Sequence, residues 1–459
     1  MWEKIYNVFD FLWGYPMLFL LVFGGIYYTI RTRFFQVRGL PLVFKKTLGE
    51  MFKKDTGKNN EGSMTPLQAI STVLAGTVGS GNIAGVAAAI AIGGPGALFW
   101  MWVTAIFGML TKLAEVSLAV KYREKGPDGE YYGGPMYYIK KGLGKSWHWL
   151  APVFSVALLL LTLCDAAFVQ VNTAATALDD VFGVPMIVTG VSIAVVSLII
   201  CLGGIKRVGE ACSAIVPPMC LLYILGCLFV IFAHIDHVGY AFDLVFKYAF
   251  APAPVVGGFA GAGIKLAMTK GGFRGIFSNE AGEGTAATVH ATAKTDHPIH
   301  QGLYGVLEVF IDTIIICTLT GIAILSGGEE IWASGETGIY LTFLAFRQSF
   351  GDVGMWVAGI AVFLFCYSSY LGYFVEFRTS LKYVFGDKIS KWARWLFFIP
   401  PVISCTLPVS QIWDMADMVV GFIFIPNMIA LLLLSPQVVK MLKEYEVKIK
   451  TEKQLKRAD

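Results

Sequence analysis

The chain has 459 residues, 56% of them hydrophobic and only 15% charged. A soluble domain carries roughly a quarter charged residues, so an ordinary soluble fold is excluded and an all-α polytopic membrane protein, a single transmembrane domain over 1–459, is expected. The net charge of +4 excludes little until it is placed by loop, and the eight scattered cysteines form no CxxC pair, so neither a disulfide framework nor a zinc knuckle is expected.

Taken in chain order, apolar runs near the roughly 20 residues a bilayer requires fall at 11–30, 65–93, 97–120, 149–178, 184–204, 209–233, 257–294, 301–326, 353–377, 394–411 and 413–435, eleven in all. The first has no small-residue cleavage site after it and reads as a retained helix. Lys and Arg concentrate in 31–63, 121–145, 206–207, 378–394 and the tail from Lys440, whereas 179–183, 234–256 and 327–352 hold only Lys247 and Arg347. Eleven spans put all the basic segments on one side, which predicts an outside N-terminus and a cytoplasmic C-terminus. Segment 133–144 reads as an interfacial helix with its aromatics on lipid, and 327–352 as a re-entrant or capping helix outside. The basic tail, 437–459, reads as a solvated helix attracted to anionic lipid rather than to nucleic acid.

Two spans are interrupted. The second contains AGTVGSGNIAG (75–85), with Gly76, Gly79 and Gly81 among Thr77, Ser80 and Asn82. Gly81 and Gly85 fit close helix packing; an unwound stretch lining a ligand fits equally, because unpaired backbone is tolerated in a membrane only there. The seventh contains FRGIFSNEAGEGTAA (273–287), again broken by glycines, with Ser278, Asn279, Glu280 and Glu283 inside it. Gly-interrupted spans in matching positions of two halves point to a transporter site between repeats. The halves are 65–235 and 257–436, five spans each, inverted in the membrane, with 11–30 as an added N-terminal helix.

GTVGSGNIAGVAAAIAIGGPGALFWMW (76–102), LAEVSLAVKYR (113–123), GGPMYYI (133–139), VQVN (169–172), FRGIFSNEAGEGTAA, HPIHQGL (297–303) and VFIDTIIICTLTG (309–321) together resemble the alanine or glycine:cation symporter family, which has the leucine-transporter fold. The resemblance implies Na⁺-coupled uptake of a small neutral amino acid across a cell membrane. It implies substrate contacts from Gly79, Ser80, Gly81 and Asn82, from Gln170 and Asn172, from Ser278 and Asn279, and from Tyr373 on the pocket wall. It implies a sodium ion held by the carbonyls of Ala75 and Val78 and the hydroxyls of Ser368 and Ser369. The chain departs from the family at several of these places. Ser368-Ser369 stands for Ser-Thr, Tyr373 for Trp, Glu283 for an apolar residue, Thr285-Ala286-Ala287 for Ser-Ala-Pro, and Asp165 for a small or polar residue.

Ionised groups inside a bilayer cost about 3 kcal/mol or more on insertion scales and need a partner or a role. Lys112 and Glu115, three apart on one helix, are expected to pair. Asp312 reads as a structural hydrogen-bond acceptor or an ion ligand. Asp165 reads as a partner for an ammonium, a cationic side chain or a proton, or as a buried acid bonded to hydroxyls, and Glu283 as a partner of Arg274. Among the histidines, HIDH (234–237) and HPIH (297–300) are boundary pairs without zinc-site spacing. A secondary symporter is therefore expected. Its alternatives are the same fold with another amino acid or with protons, a channel, which two broken helices in one chain disfavour, and an intramembrane enzyme, which lacks a placed nucleophile and base.

Overall fold

The computed structural model describes residues 2–51, 62–258 and 260–458. Its long helices are α1 (Trp2–Arg31), α2 (Pro66–Thr77), α3 (Gly81–Gly93), α4 (Ala97–Tyr122), α5 (Lys145–Phe182), α6 (Met186–Cys201), α7 (Gly204–Ala233), α8 (Ile235–Phe250), α9 (Ile264–Asn279), α10 (Thr285–His290), α11 (Pro298–Ser326), α12 (Ile339–Phe350), α13 (Asp352–Ala393) and α14 (Val409–Ala458). Among the described residues six helices are long and apolar enough to cross a membrane, or seven with α2 and α3 counted as one span bent by 47°.

The second span starts where the sequence supplies its cap. Thr65 Oγ1 accepts from the Gln68 amide at 3.2 Å and Gln68 Oε1 accepts from the Thr65 amide at 2.9 Å, with Pro66 at the first helical position. Gly372 lets α13 press against α2: a Cβ there would lie 2.7 Å from Gly76 N and 2.9 Å from Thr72 O. The same close approach sets Ser369 beside the end of α2. The two breaks also face each other, since a Cβ on Gly81 would meet Ser278 Cα at 3.2 Å.

Several expectations are corrected. Segment 257–294 is not helical throughout: 257–258 is a turn, 260–263 is non-helical with Ala262 bridged to Ala253, and the helix is broken again between α9 and α10. Segment 394–411 is a 3₁₀ turn (Arg394–Phe398), a short helix (Pro400–Ser404) and a bend, because Pro400, Pro401 and Pro408 deny the backbone donors a continuous helix needs. The loop expected over 234–256 is largely α8, which turns Ala241, Leu244, Val245 and Ala249 inward and sets Phe246 and Phe250 on Phe99. Asp243 and Lys247 on its polar face hide it from a hydropathy reading. The aromatics of Pro135–Gly142 face the protein interior rather than lipid, with Tyr137 and Tyr138 buried and only Lys140 and Lys141 exposed. The basic tail is not free in solvent either. α14 continues through it, burying Tyr445 and Ile449, and Lys448 meets Asp296 at 2.8 Å. His300 beside it, together with Lys448, holds the Asp296 carboxyl well below the usual carboxylate range.

Candidate functional site

The first break has an identifiable cause. In a continuous helix the amides of Gly79 and Ser80 would bond back to the carbonyls of Ala75 and Gly76. Here Gly79 N donates to Asn82 Oδ1 at 2.9 Å and Ser80 N donates to Gln170 Oε1 at 2.9 Å. The Ala75 and Gly76 carbonyls are left without those donors, and the chain resumes as a π-helical turn over Gly81–Gly85. Ser80 Oγ is buried with no partner, an orphan that a native membrane interior tolerates only where a ligand is to be met. A Cβ on Gly79 would run into Ser369 Oγ and lie 2.8 Å from Gln170 Oε1. Gly79→Ala is therefore expected to destabilise by about 1–3 kcal/mol in thermal unfolding in detergent, whereas Gly239→Ala, with nothing within 4 Å, is expected to be neutral.

Behind Asn82 lies a dense polar knot. Asn82 Nδ2 donates to Asp312 Oδ1 at 2.6 Å; Ser278 Oγ and Thr313 Oγ1 donate to Asp312 Oδ2 at 2.9 and 2.7 Å. Asn279 Nδ2 donates to Thr313 Oγ1 at 3.1 Å, and its Oδ1 accepts from Ala281 N at 3.0 Å. Asp312 thus ties the two breaks together as a hydrogen-bond acceptor. The second break is held by protein groups. Glu280 takes a left-handed φ of 53°, rare for a residue with a Cβ. Gly282 and Gly284 are also left-handed, and Gly282 N donates to Glu115 Oε1 at 2.8 Å.

The residues expected around Na⁺ converge in part. Ser369 Oγ donates to Val78 O at 3.4 Å across α13 and the end of α2, and Ser368 Oγ donates to Phe365 O at 2.9 Å. Hydroxyl and carbonyl oxygens are the donors a hard cation takes. Gln170 joins the first break to the acids: its Nε2 donates to Asp165 Oδ1 at 2.9 Å. Tyr373 OH lies 2.7 Å from Asp165 Oδ2 and 2.7 Å from Glu280 Oε1. Asn172 is not brought to this group. Two residues beyond Gln170, it points to another side of α5 and donates to Ser404 O at 2.8 Å.

The expected ion pairs are exchanged for others. Lys112 pairs with Glu308 at 3.2 Å rather than with Glu115, and Glu308 also accepts from Thr77 at 2.8 Å and meets His290 at 3.1 Å. Glu115 instead accepts from Gly282 N and from Asn427 Nδ2 at 2.7 Å, because the second break presents an amide that no helix carbonyl satisfies. Arg274 does not reach Glu283: it forms a two-pronged pair with Asp417 at 3.1 Å per contact and stacks on Trp413. Glu283 Oε1 and Glu376 Oε2 are buried without a partner. No cluster of three or more metal-ligating His, Cys, Asp or Glu is present among the described residues. Just past Glu376, Arg378 meets Glu130 at 2.5 Å and Asp128 at 3.3 Å, and Lys382 meets Asp128 at 3.6 Å. Burial opposes the charge on Asp128, but Tyr132, the Glu130 amide, Lys382 and Arg378 hold its carboxyl below its ordinary range. This latch ties α13 to the short antiparallel hairpin of Glu124–Lys125 and Tyr131–Tyr132 that follows α4.

Apolar helices with two facing breaks, one presenting free carbonyls and an orphan hydroxyl, define a multi-pass membrane transporter. The fold agrees: the structure of MhsT in complex with L-phenylalanine superposes with a TM-score of 0.58 over 82% of this chain and 90% of that one, at 18% identity, which makes the fold that of the leucine-transporter type. The chain belongs to the sodium:alanine symporter family, whose profile matches residues 1–459. Similar proteins include the sodium/alanine symporter AgcS of Methanococcus maripaludis, 40% identical over 96% of this chain and 96% of its own length. The probable sodium/glutamine symporter GlnT of Bacillus subtilis is 36% identical over 95% of this chain and 89% of its own length. The chain is accordingly a transporter and not an enzyme.

Proposed function

We propose that this protein imports a small neutral amino acid, alanine or glycine, together with Na⁺ by alternating access. The single observation that carries the reading is the first break, where freed carbonyls, the orphan Ser80 hydroxyl and Ser369 at 3.4 Å from Val78 O meet in one buried place. The orphan Ser80 hydroxyl and the Gly81 amide face the substrate carboxylate, and the substrate displaces Asn82 and Gln170 from the Gly79 and Ser80 amides they hold here; Ser278 lies beside them, and Asn279 supports them through Thr313. Ala75, Val78, Ser368 and Ser369 hold Na⁺. Tyr373 bounds the substrate's side chain. The scaffold is eleven spans, 65–235 and 257–436 being inverted repeats of five behind an added first helix, set in a prokaryotic cell membrane with the N-terminus outside and the C-terminus cytoplasmic.

AgcS, named a sodium/alanine symporter, supports both the ion and the cargo; GlnT, named for glutamine, leaves the side-chain size open. The hydrogen-bonded acids Asp165 and Glu280 around Tyr373 favour a second reading, an amino acid with a polar or cationic side chain. A zwitterion moves no net charge, so Na⁺ alone makes the cycle electrogenic, and 100 mV contributes about 2.3 kcal/mol per charge. Radiolabelled alanine uptake into proteoliposomes is therefore expected to need inward Na⁺ and to rise with an inside-negative potential. Uptake of lysine or glutamine with no uptake of alanine would replace the first reading by the second.

A further inference from the structure

The Tyr373 hydroxyl has one hydrogen and two carboxylate neighbours, Asp165 Oδ2 and Glu280 Oε1, each at 2.7 Å. The other oxygens of those acids are already acceptors, Asp165 Oδ1 from Gln170 at 2.9 Å and Glu280 Oε2 from Thr285. The phenol donates to one acid only. The second 2.7 Å contact is a hydrogen bond only if that carboxyl carries a hydrogen of its own. One helical turn beyond Tyr373, Glu376 is 1% exposed and its Oε2 has no partner; Glu283 is 2% exposed and its Oε1 has none. These four acids act on one another electrostatically, with Glu115, Glu308 and the Arg274-paired Asp417 also facing them. Among the described residues, the one fully buried ammonium is Lys112, and it is already in contact with Glu308, which His290 also faces. An ionised carboxylate buried without a partner is too costly to persist.

We infer that Asp165, Tyr373, Glu280, Glu283 and Glu376 form a proton-binding site, separate from the oxygen donors proposed for Na⁺, that is loaded in the buried arrangement seen here. The inference rests on the transporter reading. The ligand is a proton because a 2.7 Å gap between oxygens admits a hydrogen and nothing larger, and because these residues form no metal-ligating cluster. All four acids are buried in the arrangement seen here, so deprotonation opposes that arrangement. Transport that passes through this arrangement then falls as pH rises, by about tenfold per pH unit where one proton is required.

The test is infrared difference spectroscopy on the full-length protein in lipid, titrated from mildly acidic to alkaline pH in Na⁺ buffer. It needs no substrate, so it stands even if alanine proves not to be transported. A protonated-carboxyl C=O band lost on alkalinisation and reduced in both Glu280→Gln and Glu376→Gln is the expected result. Tyr373→Phe changes no charge and is expected to shift that band, which keeps the inference testable if a glutamine variant fails to fold. Spectra in which neither the glutamine variants nor Tyr373→Phe alter a carboxyl band would overturn it. So would loss of the band at constant pH on adding L-lysine but not L-alanine, which would make the acids a seat for a cationic side chain.

Discussion

Replacing Ser368 and Ser369 together by alanine is expected to abolish Na⁺-driven uptake while the protein still folds. The two hydroxyls lie beside backbone carbonyls, Ser369 against Val78 O at the first break and Ser368 against Phe365 O within α13. A hydrogen bond to a charged group contributes about 1.5–3 kcal/mol. Taking a Na⁺ ligand oxygen to be of similar worth, losing two weakens Na⁺ binding by roughly a hundred-fold or more. Ser369→Ala alone is expected to do most of this, because Ser369 meets a carbonyl of the first break whereas Ser368 bonds the Phe365 carbonyl of its own turn and Met219 of α7. The measurement is the Na⁺ concentration for half-maximal uptake, set beside thermal unfolding of the same variants. Packing residues would give the opposite pattern, a lowered melting temperature with Na⁺ dependence unchanged.

Lys112→Met is expected to cost about 3–5 kcal/mol of stability, the largest effect predicted for a single substitution. Lys112 and Glu308 are both fully buried and 3.2 Å apart. Removing the lysine leaves a carboxylate held by Thr77 and His290 with no full positive charge beside it. It also removes what is, among the described residues, the one buried lysine set against seven buried acids, Glu115, Asp165, Glu280, Glu283, Glu308, Asp312 and Glu376. Because Thr77 is the last residue of α2, the damage reaches the break itself. Thermal unfolding in detergent reads the loss, and Lys112→Met combined with Glu308→Gln is expected to recover part of it, as coupled partners do. Equal melting temperatures for wild type and Lys112→Met would mean that the acids are already neutral without the lysine.

Much of the outline was legible in one dimension because lipid imposes a blunt rule: long apolar runs cross it, and polar or glycine-rich residues within them need a reason. That rule marked 75–85 and 273–287, and the family resemblance attached Ser368 and Ser369 to Na⁺. Glu280 and Glu376 were passed over. Glu280 lay inside a motif read for its neighbours, and Glu376 stood at the end of a predicted span, where an acid reads as a boundary charge. Only the turn of α13, which puts Glu376 one turn beyond Tyr373, shows that it faces inward. α8 was read as a loop because half its surface is polar.

The sequence by itself determined that the chain lives in a membrane, where its two helices break and which family it resembles, since each depends on composition or on residues adjacent in the chain. The tertiary structure alone decided who pairs with whom. Lys112 chose Glu308 over the nearby Glu115, Arg274 chose Asp417 over Glu283, and Gln170 came to bridge Ser80 and Asp165. The physical reason is common to all three. A buried charge or unpaired amide takes whichever partner the packing of distant helices delivers within about 3 Å, and spacing along the chain carries no record of that distance.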